Sequence, residues 1–257
     1  MLIDFQWITI PAGAARVGST LDEVERAVAD WADHLLEEAY ETEFRSWLLK
    51  ETPQHLVQLA SFAISDTPIT NRMYAQFVEQ TGAKRPESLT RAQVESEIDH
   101  PVWGVSLEDA RQFCRWLSDR LGCSISLPTE AQWERAARGD TGREYPWGDG
   151  WSKERCNSIE AKVENTTPVR RYEEGRSLFG LYDMGGNVEE WVDSPYQVYP
   201  GGQVVVDDLY EALGPDYPIL KGGSFARGGD LCRVARRHGP FPEPVFRFTG
   251  FRVVREV

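Results

Sequence analysis

The chain has 257 residues, enough for one large domain or two small ones. It lacks the run of about 18 apolar residues that a membrane-spanning helix needs. A net charge of −13 argues against a general nucleic-acid binder, whose surface must neutralise phosphates. Four cysteines without a CxxC pair and four histidines without HxxxH or HExxH spacing give little support to a zinc centre. The opening MLIDFQWITIPAG has neither the basic nor the long apolar part of a signal peptide, so a cytoplasmic protein with reduced thiols is expected.

In chain order, Thr20-Leu-Asp-Glu23 forms a capping box ahead of Val24, Val28, Trp31 and Leu35. This predicts an acidic amphipathic helix that continues in some form to about Leu49. A second helix is expected from Thr70-Asn71, with Met73, Phe77 and Val78 inward, ending at Gly82. A third begins at Ser106 with Asp109 closing the box; it buries Ala110, Phe113, Cys114, Leu117 and Leu121 and stops at Gly122. A fourth starts at Pro128-Thr129, places Gln132 in the box and Trp133 inward, and ends at Gly139. Residues 140–220 are dense in Gly, Pro, Asn and Asp but rich in aromatics, which predicts loops packed onto a core.

Charge is unevenly placed. Residues 20–51 hold ten acids and three bases, a net of −7, whereas residues 221–257 hold eight bases and three acids, a net of +5. The apolar stripe of the acidic helix must be covered, and docking on its own domain needs only a reversal near Glu51-Thr52-Pro53.

Several segments occur together in order: the run 100–139, YPWGD (145–149), GLYDMGGNVEEWVDS (180–194), KGGSF (221–225) and GFRVV (250–254). Together they resemble the formylglycine-generating enzyme, or sulfatase-modifying factor, family over nearly the whole chain except the acidic helix. The resemblance implies an α+β, C-type-lectin-like fold: a small twisted antiparallel sheet, flanking helices and much irregular chain. One domain spanning 1–257 is expected, with a helical insertion at about 20–50.

The family resemblance also implies structural calcium in two loops. In Gly186-Asn187-Val188-Glu189-Glu190-Trp191, the expected ligands are Asn187 and Glu190. The first loop begins at Asn157-Ser158, and its second half, around Glu164, departs from the expected spacing. A hard cation wanting six to eight oxygens finds few firm ligands in either loop. The alternative for Glu190 is an arginine partner.

Catalytic relatives, by the same resemblance, hold copper(I) between two cysteines placed five residues apart after GGS. Here Ser224 matches that serine and Cys232 the second cysteine, but Arg227 stands at the first. An arginine cannot ligate copper(I), and its charge opposes the ion. No other cysteine follows GGS, so copper is not expected, and Cys232 reads as a small buried residue. An iron-dependent branch of the fold takes histidine ligands from a further helical domain whose spacing is absent here, and nothing points to the pyoverdine-maturation branch.

The expected function is therefore that of an accessory or recognition module with a protein or peptide partner. Arg227, Arg233, Arg236, Arg237 and His238, near Phe241, Phe246 and Phe248, would form the binding face. The alternative is an oxygen-dependent oxidase using Cys232 and Ser224. Partner identity and oligomeric state stay open.

Overall fold

The computed structural model describes residues 3–35, 41–91, 94–240 and 248–257. A four-stranded antiparallel sheet joins the two ends of the chain: β1 (Trp7–Ile10) and β9 (Val254–Glu256) flank β4 (Phe62–Ser65), and β5 (Ile125–Ser126) pairs with β9. A second, two-stranded sheet pairs β2 (Gly13–Val17) with β3 (His55–Leu59). The third sheet centres on β6 (Glu189–Pro195), antiparallel to β7 (Pro218–Lys221) and parallel to β8 (Thr249–Gly250). The fold is thus α+β as expected, but among the described residues its strands are divided among three small sheets and include one parallel pair.

Helix boundaries follow the local signals. α1 (Leu21–Trp31) starts at a two-way capping box between Thr20 and Glu23. α3 (Asn71–Thr81) is capped by Thr70 and ended by Gly82 in the left-handed region. α4 (Leu107–Leu121) runs from the Ser106–Asp109 box to Gly122, and α5 (Glu130–Arg138) from the Thr129–Gln132 box to Gly139. Each box satisfies amide donors that a helix start leaves without partners. The acidic segment is two helices, α1 and α2 (Glu41–Leu49), and not one continuing helix; residues 36–40, where that continuation was expected, lie outside the described residues.

The insertion leaves and returns at one point, because Val17 pairs with His55 on either side of it. Its stripe docks internally: Val24, Ala27, Trp31, Phe44 and Leu48 are buried together with Tyr145, Trp147, Cys156 and Cys232. Trp31 donates its indole N–H to the Tyr145 hydroxyl at 2.9 Å. Contact is tight at Gly229, where a Cβ would lie 2.3 Å from Trp151 and 2.6 Å from Trp31. Opposite charge also joins the insertion to the body: Arg233 bonds both carboxylate oxygens of Glu51 at 3.1 and 2.9 Å.

Because Trp31 is a fully packed wedge, Trp31→Ala should lower the unfolding free energy by about 3–5 kcal/mol in urea titrations. Its mass in solution should stay the same. A stable variant with altered mass would mean that the stripe serves an interface between chains.

Candidate functional site

The segment that follows β7 passes through Gly222 and Gly223, both at positive φ, then Ser224, a short helical turn at Gly229–Cys232, and on to His238. The insertion covers it. Between the two lies a cavity of about 100 Å³, lined on the insertion side by His34, Leu35, Phe44, Trp47 and Lys50. Arg227, Asp230, Leu231, Arg236 and His238 line the opposite side, and Asp207 to Leu209 close it. Asp207 caps α6 (Asp208–Leu213) by accepting the Tyr210 amide.

Acids neutralise most of the cations here. Lys50 Nζ donates to Asp207 Oδ2 at 2.5 Å and to the Tyr217 hydroxyl at 3.3 Å. Burial pushes the Lys50 ammonium down to about 8, with Asp207 opposing that shift. Arg236 Nε donates to Asp230 at 3.2 Å. His238 Nδ1 donates to Glu189 Oε1 at 2.6 Å, and Arg227 Nε lies 3.6 Å from Glu189 Oε2, an ion pair too long for a hydrogen bond. Burial alone would raise the Glu189 carboxyl, but the charges of His238 and Arg227 hold it below the usual range.

The expected binding face is thereby divided. Arg233 and Arg237, expected as surface contacts, are instead interior residues. Arg233 is spent on Glu51 and Glu144, while Arg237 pairs with Glu130 at 2.9 Å and lies over the rings of Tyr196 and Tyr199. A buried guanidinium must be paired because its desolvation is otherwise unmatched. Arg227, Arg236 and His238 line the cavity. Phe248 packs edge-on against Phe225 at 4.6 Å, while Phe241 and Phe246 lie outside the described residues.

Of the calcium ligands expected from the sequence, Asn157 and Asn187 meet at 3.3 Å, and Asn157 Oδ1 is buried without a partner among the described residues, whereas Glu190 is taken up elsewhere. Arg252 holds Glu190 with bonds of 2.6 and 2.7 Å, and the Trp133 indole donates to it at 2.8 Å, so both carboxylate oxygens face protein donors. Glu164 is exposed. Asn187, at φ 71°, accepts from the Thr167 amide and from Asn157 and donates to the Thr167 carbonyl and Asp183. Asn157 also donates to the Asn165 carbonyl. The Asn187 amide is thus fully bonded to protein groups, and among the described residues no three His, Cys, Asp or Glu side chains are grouped as a metal would need.

Cys232 is fully buried, as expected, and Ser224 Oγ is buried without a partner among the described residues. What the sequence did not place is Cys156, whose thiol meets that of Cys232. This contact, with burial, holds the Cys232 thiol well above its ordinary pKa. Glu189, Lys50, Asp207 and Asp230 were also missed. Glu189 had one available signal: neighbours on a strand face opposite ways, so a Glu190 turned toward Arg252 turns Glu189 toward His238.

Residues 5–257 match the family described as Sulfatase-modifying factor enzyme 1-like domain. The chain belongs to that family. It is 33% identical over 236 residues to the serine/threonine-protein kinase Pkn1 of Chlamydia trachomatis serovar L2, covering 80% of this chain and 35% of the relative. It is 29% identical over 266 residues to the formylglycine-generating enzyme of Streptomyces coelicolor, covering 80% and 82%. The structure of PvdO from Pseudomonas aeruginosa superposes with a TM-score of 0.71 at 22% identity, covering 98% of this chain and 94% of that one, which shows the shared fold. The chain spans only about a third of the chlamydial relative. No helix among the described residues is long and apolar enough to cross a membrane.

Lys50 provides a pH test. Its folded pKa lies below the 10.5 of the free side chain, so between pH 8 and 10.5 the unfolded chain binds more protons than the folded one. Measured against Lys50→Met, the protein should therefore gain stability as pH rises through that window. A difference that falls or stays flat would mean that Lys50 keeps its proton in the fold.

Proposed function

We propose that this sulfatase-modifying-factor-family protein is a non-catalytic, cytoplasmic recognition module that receives a protein or peptide partner at the cavity under the insertion. The observation that carries this reading is the arginine-bearing cavity on the segment where catalytic relatives would need an open pair of thiolates. Arg227 stands at the first of those positions, and Cys232 is buried beneath the insertion, its thiol pKa pushed up by the Cys156 contact and by burial. A soft metal needs thiolates, and a substrate thiol would also need a path to them. The apolar wall of Leu35, Phe44 and Trp47 beside Arg227 and His238 is the mixture common at recognition sites.

A second reading, an oxygen-dependent oxidase, has one observation in its favour: the contact between Cys156 and Cys232 places two sulfurs together. As a donor set the pair fits copper(I), and those two cysteines would hold it; bound copper would supply oxygen activation. As a reaction centre it is closed, because Cys156 and Cys232 are 1% and 0% exposed.

Incubating the protein with copper(I), oxygen and a cysteine-containing peptide separates the two readings by mass spectrometry. Recognition predicts an unchanged peptide mass. Conversion of the peptide cysteine to an aldehyde, lost in Cys232→Ser and Cys156→Ser, would replace this reading with the oxidase.

A further inference from the structure

The donors left over in the cavity define its occupant. Arg227 Nη1 and Nη2 make no hydrogen bond among the described residues, and its Nε has only the 3.6 Å ion pair with Glu189. Its side chain as a whole is 26% exposed, although Nε itself is buried. Arg236 spends Nε on Asp230 and Nη1 on the Arg237 carbonyl, leaving Nη2 without a partner among the described residues. His238 is fixed through Nδ1, and its Nε2 has no partner among them.

Most of the acids are in the opposite condition. Glu189, Asp230 and Asp207 each already hold a cation, while Asp208, also in the lining, is exposed to solvent and has no ion pair among the described residues. The cavity thus offers spare N–H donors, led by a planar fork whose geometry matches a carboxylate. Leu35, Phe44, Trp47, Leu209 and Leu231 line the same small space, so the carboxylate must be carried on an apolar group and not on a polar chain.

Resting on the recognition reading above, we infer that this cavity binds the C-terminal residue of a partner polypeptide, its carboxylate on Arg227 and its apolar side chain against Phe44 and Trp47. A C-terminal residue joins carboxylate and apolar side chain at one carbon. Internal Asp or Glu residues lack that apolar branch, and so suit the wall less well. Arg227 is the group that touches the ligand; Glu189 and Asp230 position His238 and Arg236.

N-acetyl-L-leucine, N-acetyl-L-leucinamide and 4-methylpentanoate serve as probes, titrated into the whole ¹⁵N-labelled protein and followed by amide shifts. The acid should bind saturably and shift Arg227, Gly228 and His238, while the amide should bind about tenfold more weakly or worse, the loss expected for a charge-assisted pair. Arg227→Gln should weaken the acid by a similar factor and leave the amide unchanged. The ligand comparison uses unaltered protein, so it stands even if that variant folds poorly.

Equal binding of acid and amide in the cavity would overturn the carboxylate inference while leaving the recognition reading in place. Binding of 4-methylpentanoate as tight as N-acetyl-L-leucine would overturn the polypeptide source in favour of a free acid. If no probe shifts any cavity residue, the recognition reading of this site fails as well.

Discussion

The ion pair between Glu190 and Arg252 is the constraint on which the other features depend. It is fully buried and bidentate, and the spare hydrogens of Arg252 reach the carbonyls of Ser65 and Tyr182. One guanidinium thus binds the end of β4, the loop before β6 and β6 itself, while the Trp133 indole adds α5 through Glu190. A chain with three small sheets and long irregular stretches cannot satisfy its loop carbonyls by ladders alone, so side chains must supply the donors. Removing one partner would leave the other charged and buried, which costs about 3–5 kcal/mol in such pairs.

The same rule extends outward through the basic C-terminal segment. Glu134 holds both Arg138 and Lys221 and accepts the Gly18 amide; Glu130 holds Arg237; Glu51 holds Arg233. Burial would raise the Glu51 carboxyl, but Arg233 and Arg236 hold it below its ordinary range, so the end of the insertion is charged and locked to the body. Among the described residues one ion pair, Arg233 with Glu51, joins residues 20–51 directly to residues 221–257, while Lys221 and Arg237 are neutralised by the carboxylates of α5. Arg227, at the cavity, has only the long contact to Glu189 among the described residues.

Local structure was legible where one short motif decides it. The boxes at Thr20, Ser106 and Thr129 and the glycine stops at Gly82, Gly122 and Gly139 mark helix ends within the chain itself, and the family motifs carried the fold. The site was less legible because it is made by pairs far apart in sequence. Nothing near Lys50 announces Asp207, and nothing near Cys232 announces Cys156. Five charges in a basic segment look alike in sequence, yet Arg233 and Arg237 face buried carboxylates and Arg227 faces a cavity. Glu190 was read as an ion ligand because its motif is shared with metal-binding loops; its actual partner comes from GFRVV at the other end of the chain.

The central claim is that the described arginines of this segment are scaffold except at the cavity, and arginine footprinting addresses it directly. Native protein would be treated briefly with phenylglyoxal and its modified arginines counted by mass spectrometry against a urea-unfolded control. The account predicts that Arg227 reacts in the native state while Arg233, Arg237 and Arg252 are protected. Reaction of Arg233 and Arg237 at rates near those of the unfolded chain, with Arg227 protected, would contradict it.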